Sequence, residues 1–177
     1  KRKILYTNLI ENLRYGENPH QLGAFYSQNK KNKLEQIHGK TLSYNNYNDI
    51  LAAITISKSL PKNIGTVIVK HGNPCGVSAL KNNLDSYQSA LESDPISAFG
   101  GIVSCNYKIT QKLAFMLNKI FLEVIVANGF DKKALKILKS KKNLRLIDSS
   151  KISLSEVWKF SSLDNFTLMQ SEDKKIF

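Results

Sequence analysis

At 177 residues, 42% hydrophobic and 23% charged, the chain is long enough for one domain with a sizeable core and too short for two full-sized ones. No apolar stretch reaches membrane-spanning length, Lys1 to Tyr6 lacks the apolar run of a signal peptide, and two cysteines make no disulfide framework, so a reducing, cytoplasmic setting without a membrane partner is expected. The formal charge of +12 is scattered over Lys30-Lys31, Lys132-Lys133 and Lys139-Ser140-Lys141-Lys142 in an Asn-rich chain, so solvated helix faces and turns account for it first, steering of a small anion second and a nucleic-acid partner last.

The opening segment to Gln28 contains Leu13-Arg14-Tyr15-Gly16-Glu17-Asn18-Pro19-His20-Gln21, dense in turn formers and directional hydrogen-bonding groups, with a short strand predicted at Ala24 to Tyr26. By composition it is equally a binding loop and a polar arm. Gln28 to Lys33 reads as a connector and Leu34 to Lys40 as an edge strand. Thr41 to Tyr47 leads into a helix carrying Ile50, Leu51, Ile54 and Leu60, capped by Asn45 or Asn46 and ended by Pro61. Thr66 to Val69 is a largely apolar run bounded by breakers, which predicts a strand buried on both faces. Lys70 and His71 follow at its carboxyl end, where open α/β sheets collect their ligands, before the turn formers Gly72-Asn73-Pro74. Taken alone, the pair reads as a solvated lysine and an ordinary loop histidine.

Asn83 to Ser93 is predicted as a helix with Leu84, Tyr87 and Leu91 on one stripe, broken at Asp94-Pro95. Ser97 to Cys105 is a turn feeding a strand; Phe99 is either a core or edge aromatic or, standing before Gly100-Gly101, a wall for a flat ligand. A helix over Ile109 to Phe121, a strand over Glu123 to Ala127, a helix capped by Asp131 with Ala134, Leu135 and Leu138 inward, and a strand over Leu144 to Ile147 follow. This alternation predicts a layered α/β domain with a mostly parallel central sheet. From Ser149 the pattern weakens to short strands at Val157 to Phe160 and Phe166 to Gln170, so residues 149–177 form a tail without a clear closing element.

Three chemistries compete for the central stretch. His71-Gly72-Asn73 and Pro74-Cys75 superficially match the zinc deaminase signature, but Asn73 stands where its Glu belongs and Ser78 where its second Cys belongs, so no metal is expected. A Cys75 nucleophile activated by His71 ranks low, because a base so near in sequence need not face the thiol. There is no Walker loop and no Gly-x-Gly-x-x-Gly stretch. Proton transfer remains: a neutral His71 accepts a proton while Lys70 supplies positive charge or returns one.

Five motifs now stand in order: Arg14 to Gln21, Leu42-Ser43-Tyr44-Asn45-Asn46, Val67 to Val77, Asp94-Pro95-Ile96-Ser97-Ala98-Phe99-Gly100-Gly101-Ile102, and Glu123 to Ala127. Together they closely resemble the bifunctional purine-biosynthesis family that combines AICAR transformylase with IMP cyclohydrolase, over about Leu13 to Leu146. The resemblance implies that residues 1–177 are the first half of the transformylase domain, a cytidine-deaminase-like α/β subdomain without zinc. The family's cyclohydrolase domain and second transformylase subdomain are not in this sequence.

By the same resemblance Lys70 and His71 match the catalytic pair that moves a formyl group from 10-formyltetrahydrofolate to the amino group of AICAR. Arg14 and Tyr15 match the nucleotide-binding loop, Arg14 being suited to phosphate by its fork of donors. Asn46, Phe99, Gly100 and Glu123 match positions lining the AICAR and folate site, and a homodimer with shared sites is implied. The family usually carries Gly-Gly before a Leu-Leu-Val-Gln strand, where this chain has Asn165-Phe166 before Thr167-Leu168-Met169-Gln170. The alternative reading is a non-catalytic nucleotide-binding half-domain.

Overall fold

A computed structural model of the chain describes residues 7–28, 34–152 and 158–171. Its centre is a six-stranded sheet in the order β3-β8-β7-β6-β4-β5. The strands are β3 (Glu35–His38), β4 (Thr66–Lys70), β5 (Asn73–Ser78), β6 (Ile102–Cys105), β7 (Val124–Ala127) and β8 (Arg145–Asp148). Two hairpins lie outside it, β1 (Asn8–Leu13) with β2 (Gly23–Ser27) and β9 (Trp158–Leu163) with β10 (Phe166–Ser171).

The central strands are short and apolar at almost every position, so alternate residues serve two cores. Val67, Val69, Ile102, Val124, Val126 and Ile147 face one side, where helix α1 (Tyr44–Ser59) brings Ile50, Ala53 and Ile54. Ile68, Val103, Ile125 and Leu146 face the other, against α2 (Asn83–Ser93), the one-turn α3 (Pro95–Ala98), α4 (Gln111–Leu117) and α5 (Lys132–Leu138). The result is three layers. Each fully buried Ile or Leu contributes roughly 1.5–3 kcal/mol relative to exposure.

The layered α/β class is as expected; the sheet is mixed, its parallel part confined to β6, β7 and β8. β4 runs antiparallel to β6, and β3 antiparallel to β8. Of the turn formers Gly72-Asn73-Pro74, Asn73 and Pro74 instead open the antiparallel edge strand β5, joined to β4 by a two-residue turn at His71-Gly72. An edge position tolerates Pro74, which has no amide to donate, and a register shift lets β5 accommodate Cys75. Gly76 is required there, since an added Cβ would collide with the Ala90 carbonyl of α2.

Several boundaries also differ. Ser43, rather than Asn45 or Asn46, caps α1: its hydroxyl accepts from the Asn46 amide at 3.2 Å while Asn46 Oδ1 accepts from the Ser43 amide at 3.1 Å, a reciprocal capping box. Leu51 is exposed rather than part of the core stripe. Asp131 stands at the start of α5 without a side-chain cap bond; its carboxylate pairs with Lys108 at 2.7 Å. β1 was not expected as a strand, and α4 is shorter than predicted because Thr110 starts it and Asn118 ends it. The strands expected near 157–160 and 166–170 are β9 and β10, with Val157 outside the described residues; among the described residues they pair with each other and with no strand of the central sheet.

Candidate functional site

The turn that carries His71 is built by its neighbours. Lys70 pairs with Asn73 across the β4–β5 hairpin, leaving His71 and Gly72 to reverse the chain with φ of 54° and 74°. Both values are those of the turn type whose twist matches a two-residue hairpin. Gly72 adopts this freely, whereas a histidine there is strained by roughly 1–2 kcal/mol. Two bonds hold the strained turn: the Gly72 amide donates to Asp49 Oδ1 on α1 at 2.6 Å, and Asn73 Nδ2 donates to the His71 carbonyl at 2.9 Å. His71 thereby projects from a fixed backbone into solvent.

Lys70 is half-buried, and its ammonium donates to the Phe99 carbonyl at 2.8 Å. One of its three N–H groups is thus spent on orientation and two are left for a ligand. The Phe99 ring is 60% exposed and lies 5.3 Å from Phe121, tilted by 49°. Gly100, with φ of 75°, turns its amide to the Phe121 carbonyl at 2.9 Å, and the Glu123 amide donates to the Gly101 carbonyl at 3.1 Å. Those two bonds seat the Phe99–Gly100 turn against the start of β7.

Asn46 is buried, and both ends of its amide are engaged. Its Oδ1 serves the α1 cap and its Nδ2 donates to Glu123 Oε2 at 2.8 Å. The same Glu123 oxygen lies 3.7 Å from the Arg145 guanidinium, whose Nε donates to the Thr41 carbonyl at 3.1 Å. Arg145 in turn lines a cavity of about 750 Å³ whose other walls include Glu11, Arg14, Tyr15, Lys40 and Ser43. Arg14 sits over the Tyr15 ring at 5.7 Å. Tyr47 secures the β1–β2 hairpin on this side, stacking on Phe25 at 4.2 Å and donating to Glu11 at 2.9 Å; burial foremost, then that carboxylate, raises its pKa.

Six of the eight candidate residues therefore form one chain of contacts at one end of the sheet. His71 adjoins Lys70, which reaches Phe99 and Gly100; these seat on the loop before Glu123, and Glu123 meets Asn46. Among the described residues no hydrogen bond or ion pair joins Arg14 or Tyr15 to Lys70 or His71; Arg145 links the groups, lining the Arg14–Tyr15 cavity and pairing with Glu123. Sequence reasoning missed Asp49 and Arg145. Asn46 and Asp49 are three apart on the same face of α1, a polar pair beside the buried Tyr47 and Ile50, and that spacing was the available signal. Among the described residues no group of three or more His, Cys, Asp or Glu stands where it could hold a metal ion. Among them, too, no helix is long and apolar enough to cross a membrane.

The model of the AICARFT/IMPCHase bienzyme family matches residues 2–177. The bifunctional purine biosynthesis protein PurH of Acetivibrio thermocellus is 47% identical over 149 residues, covering 81% of this chain and 29% of that protein. PurH of Bacillus cytotoxicus is 44% identical over 169 residues, covering 92% of this chain and 33% of that protein. The chain spans about a third of the length of these curated relatives. A crystal structure of dCMP deaminase from the cyanophage S-TIM5, in apo form, overlays on 54% of this chain and 91% of its own at a TM-score of 0.41 and 14% identity, a likeness too slight to build on. The match across nearly every residue, with identity above 40% to full-length relatives, means that this chain belongs to the AICARFT/IMPCHase bienzyme family.

Proposed function

We propose that this chain is the first half of an AICAR transformylase domain and supplies the proton-transfer groups for formyl transfer from 10-formyltetrahydrofolate to AICAR. The parent enzyme on this reading is also an IMP cyclohydrolase, cytoplasmic, and a homodimer with shared sites. The AICAR amine attacks the formyl carbon, His71 takes the proton released from the nitrogen, and the tetrahedral adduct collapses as the carbon–nitrogen bond to the folate breaks. Lys70 stabilises the negative charge that develops on the formyl oxygen or returns a proton to the departing folate nitrogen. Arg14 and Tyr15 bind the nucleotide phosphate end, while Phe99, Gly100, Asn46 and Glu123 shape the site for the flat rings.

The observation that carries this reading is the ammonium of Lys70 fixed on the Phe99 carbonyl at 2.8 Å beside a histidine held at positive φ. A positioned acid–base group contributes on the order of 10²- to 10⁴-fold in rate. Lys70→Ala or His71→Ala in the complete enzyme lowers formyl transfer by at least a hundredfold while the melting temperature stays within a few degrees; near-normal turnover in both variants overturns the assignment. A second reading, a binding module without catalysis, draws on the third of the relatives' length that the chain spans. Steady-state turnover with AICAR and formyl-folate separates the two, since the module binds nucleotide and produces no formyl-AICAR.

A further inference from the structure

Arg145 opens β8 with its side chain only 15% exposed, and every bond it makes serves a neighbour in the site. Its backbone amide donates to the Glu123 carbonyl at 3.1 Å, its Nε donates to the Thr41 carbonyl at 3.1 Å, and its Nη1 lies 3.7 Å from Glu123 Oε2. Asn46 Nδ2 reaches the same oxygen at 2.8 Å. The direction of that amide is settled by the capping box, because the Ser43 N–H requires an oxygen opposite it and so leaves the nitrogen for Glu123. Glu123 Oε2 is therefore hydrogen-bonded by Asn46 and faced by the Arg145 charge in a looser ion pair. Its other oxygen, Oε1, accepts no hydrogen bond among the described residues, and the side chain is 43% exposed.

We propose that Arg145 is a positioning residue that, with Asn46, aims Glu123 Oε1 at the nucleotide ligand as an acceptor for one of its N–H groups. This rests on the reading of the site given above and goes beyond it. The nucleotide is the partner addressed because the Arg145 wall is shared with the cavity that holds Arg14 and Tyr15. An arginine suits the position: its Nε bonds the Thr41 carbonyl and so fixes the planar guanidinium with Nη1 towards the carboxylate, a direction that the single rotatable ammonium of a lysine does not fix. The loop before α1, the start of β7 and the start of β8 are thereby locked into one arrangement around a single open oxygen.

The test uses the complete enzyme and reads both the AICAR dissociation constant by calorimetry and the steady-state constants. Arg145→Gln and Arg145→Lys each weaken AICAR binding and raise its KM roughly tenfold or more, the scale of a misplaced charge-assisted hydrogen bond. In both variants kcat and the KM for formyl-folate stay within about threefold. Glu123→Gln weakens AICAR binding to a similar degree, and the Arg145→Gln/Glu123→Gln double variant is no worse than the weaker single one, since both act through one contact. Unchanged AICAR binding in the Arg145 variants overturns the inference, as does a multiplicative double variant, which would make Arg145 a direct ligand. A parallel rise in both KM values with a lowered melting temperature also overturns it, marking a structural role only. An unsubstituted enzyme that binds AICAR without formyl transfer sinks the transfer reading alone, and the dissociation constants still decide the role of Arg145. An enzyme that does not bind AICAR overturns both.

Discussion

The two ends of the central sheet carry the same kinds of polar residue and use them in opposite ways. At the carboxyl ends of β6, β7 and β8, polar side chains close on one another. Asn106 Oδ1 accepts from the Gly65 amide at 2.8 Å, while its Nδ2 donates to the carbonyls of Ser57 and Pro61 at 2.8 and 2.9 Å. Asn128 Oδ1 accepts from Lys58 at 2.7 Å and from the Ser149 hydroxyl at 3.0 Å, and its Nδ2 donates to the Asn106 carbonyl at 2.7 Å. At the amino ends of the same strands, Lys70, His71, Phe99 and Glu123 keep polar or aromatic surface turned outward.

Ligands of open parallel sheets gather at strand carboxyl ends. On the proposed site, the rule applies to β4 and not to the parallel trio. Because β4 and β3 run antiparallel to their neighbours, their carboxyl ends arrive beside the amino ends of β6 and β8. A saturated polar network is scaffold, whereas a polar cluster with donors and acceptors left over is a site.

The comparison is broken most directly at Asn106, which is buried. Asn106→Ala strands the buried Gly65 amide and removes a brace from the end of α1 and the Pro61 loop. An orphaned buried donor costs about 1–3 kcal/mol, and with the lost carbonyl partners the whole substitution costs on the order of 3 kcal/mol. Urea denaturation is expected to show that loss, with kcat and KM of the folded enzyme unchanged. A variant of normal stability and poor turnover would place the carboxyl end in the active machinery.

A pH experiment reaches the same closed end. Burial pushes the Cys105 thiol from its ordinary 9.0 up to about 12. In the unfolded chain the thiol ionises from about pH 9, whereas in the folded chain it keeps its proton until about pH 12, so between these values the unfolded state binds fewer protons. Stability therefore falls as pH rises through that window, by about 1.4 kcal/mol per pH unit from this thiol. Cys105→Ala removes the dependence. Its deficit relative to the unsubstituted chain, read from urea midpoints, is expected to shrink by about 2 kcal/mol between pH 8 and 10.5. A constant deficit would mean that water reaches Cys105 and that this end is open after all.

Legibility in the sequence followed the range of the cause. Strands buried on both faces announce themselves as β-branched runs: β4, β7 and β8 lie within a residue of where those runs put them, and β6 closes the Ser97–Cys105 turn and strand. β1 was hidden because Asn8-Leu9-Ile10-Glu11-Asn12-Leu13 mixes polar and apolar residues without clean alternation, its register shifting between Leu9 and Glu11. β5 was hidden because its Asn, Pro and Gly are turn formers in isolation; only an edge position and a tight hairpin make them a strand. Lys70 and His71 are candidates because their motif is local, but Arg145 and Asp49 act on partners 104 and 23 positions away, which no local pattern records.

Asp49 supplies the finest probe of the difference between the two ends, because it is scaffold that reaches into the site. Its carboxylate receives the Gly72 amide at 2.6 Å and so fixes the turn on which His71 stands at φ 54°. Asp49→Ala leaves the Asn73 bond to the His71 carbonyl, which alone does not hold the strained residue in register. Turnover is expected to fall about tenfold, in line with the cost of a small displacement of a positioned group. Global stability drops by less than about 1.5 kcal/mol, the scale of one part-exposed hydrogen bond. AICAR binding is unchanged, since Arg14, Glu123 and Arg145 are untouched. Asp49→Asn keeps an acceptor oxygen and recovers most of the rate, so the pair of variants separates the geometry of the turn from the charge beneath it. Equal turnover in Asp49→Ala and the unsubstituted enzyme would show that the β4–β5 turn keeps its own shape, and α1 would then contribute to the site through Asn46 alone.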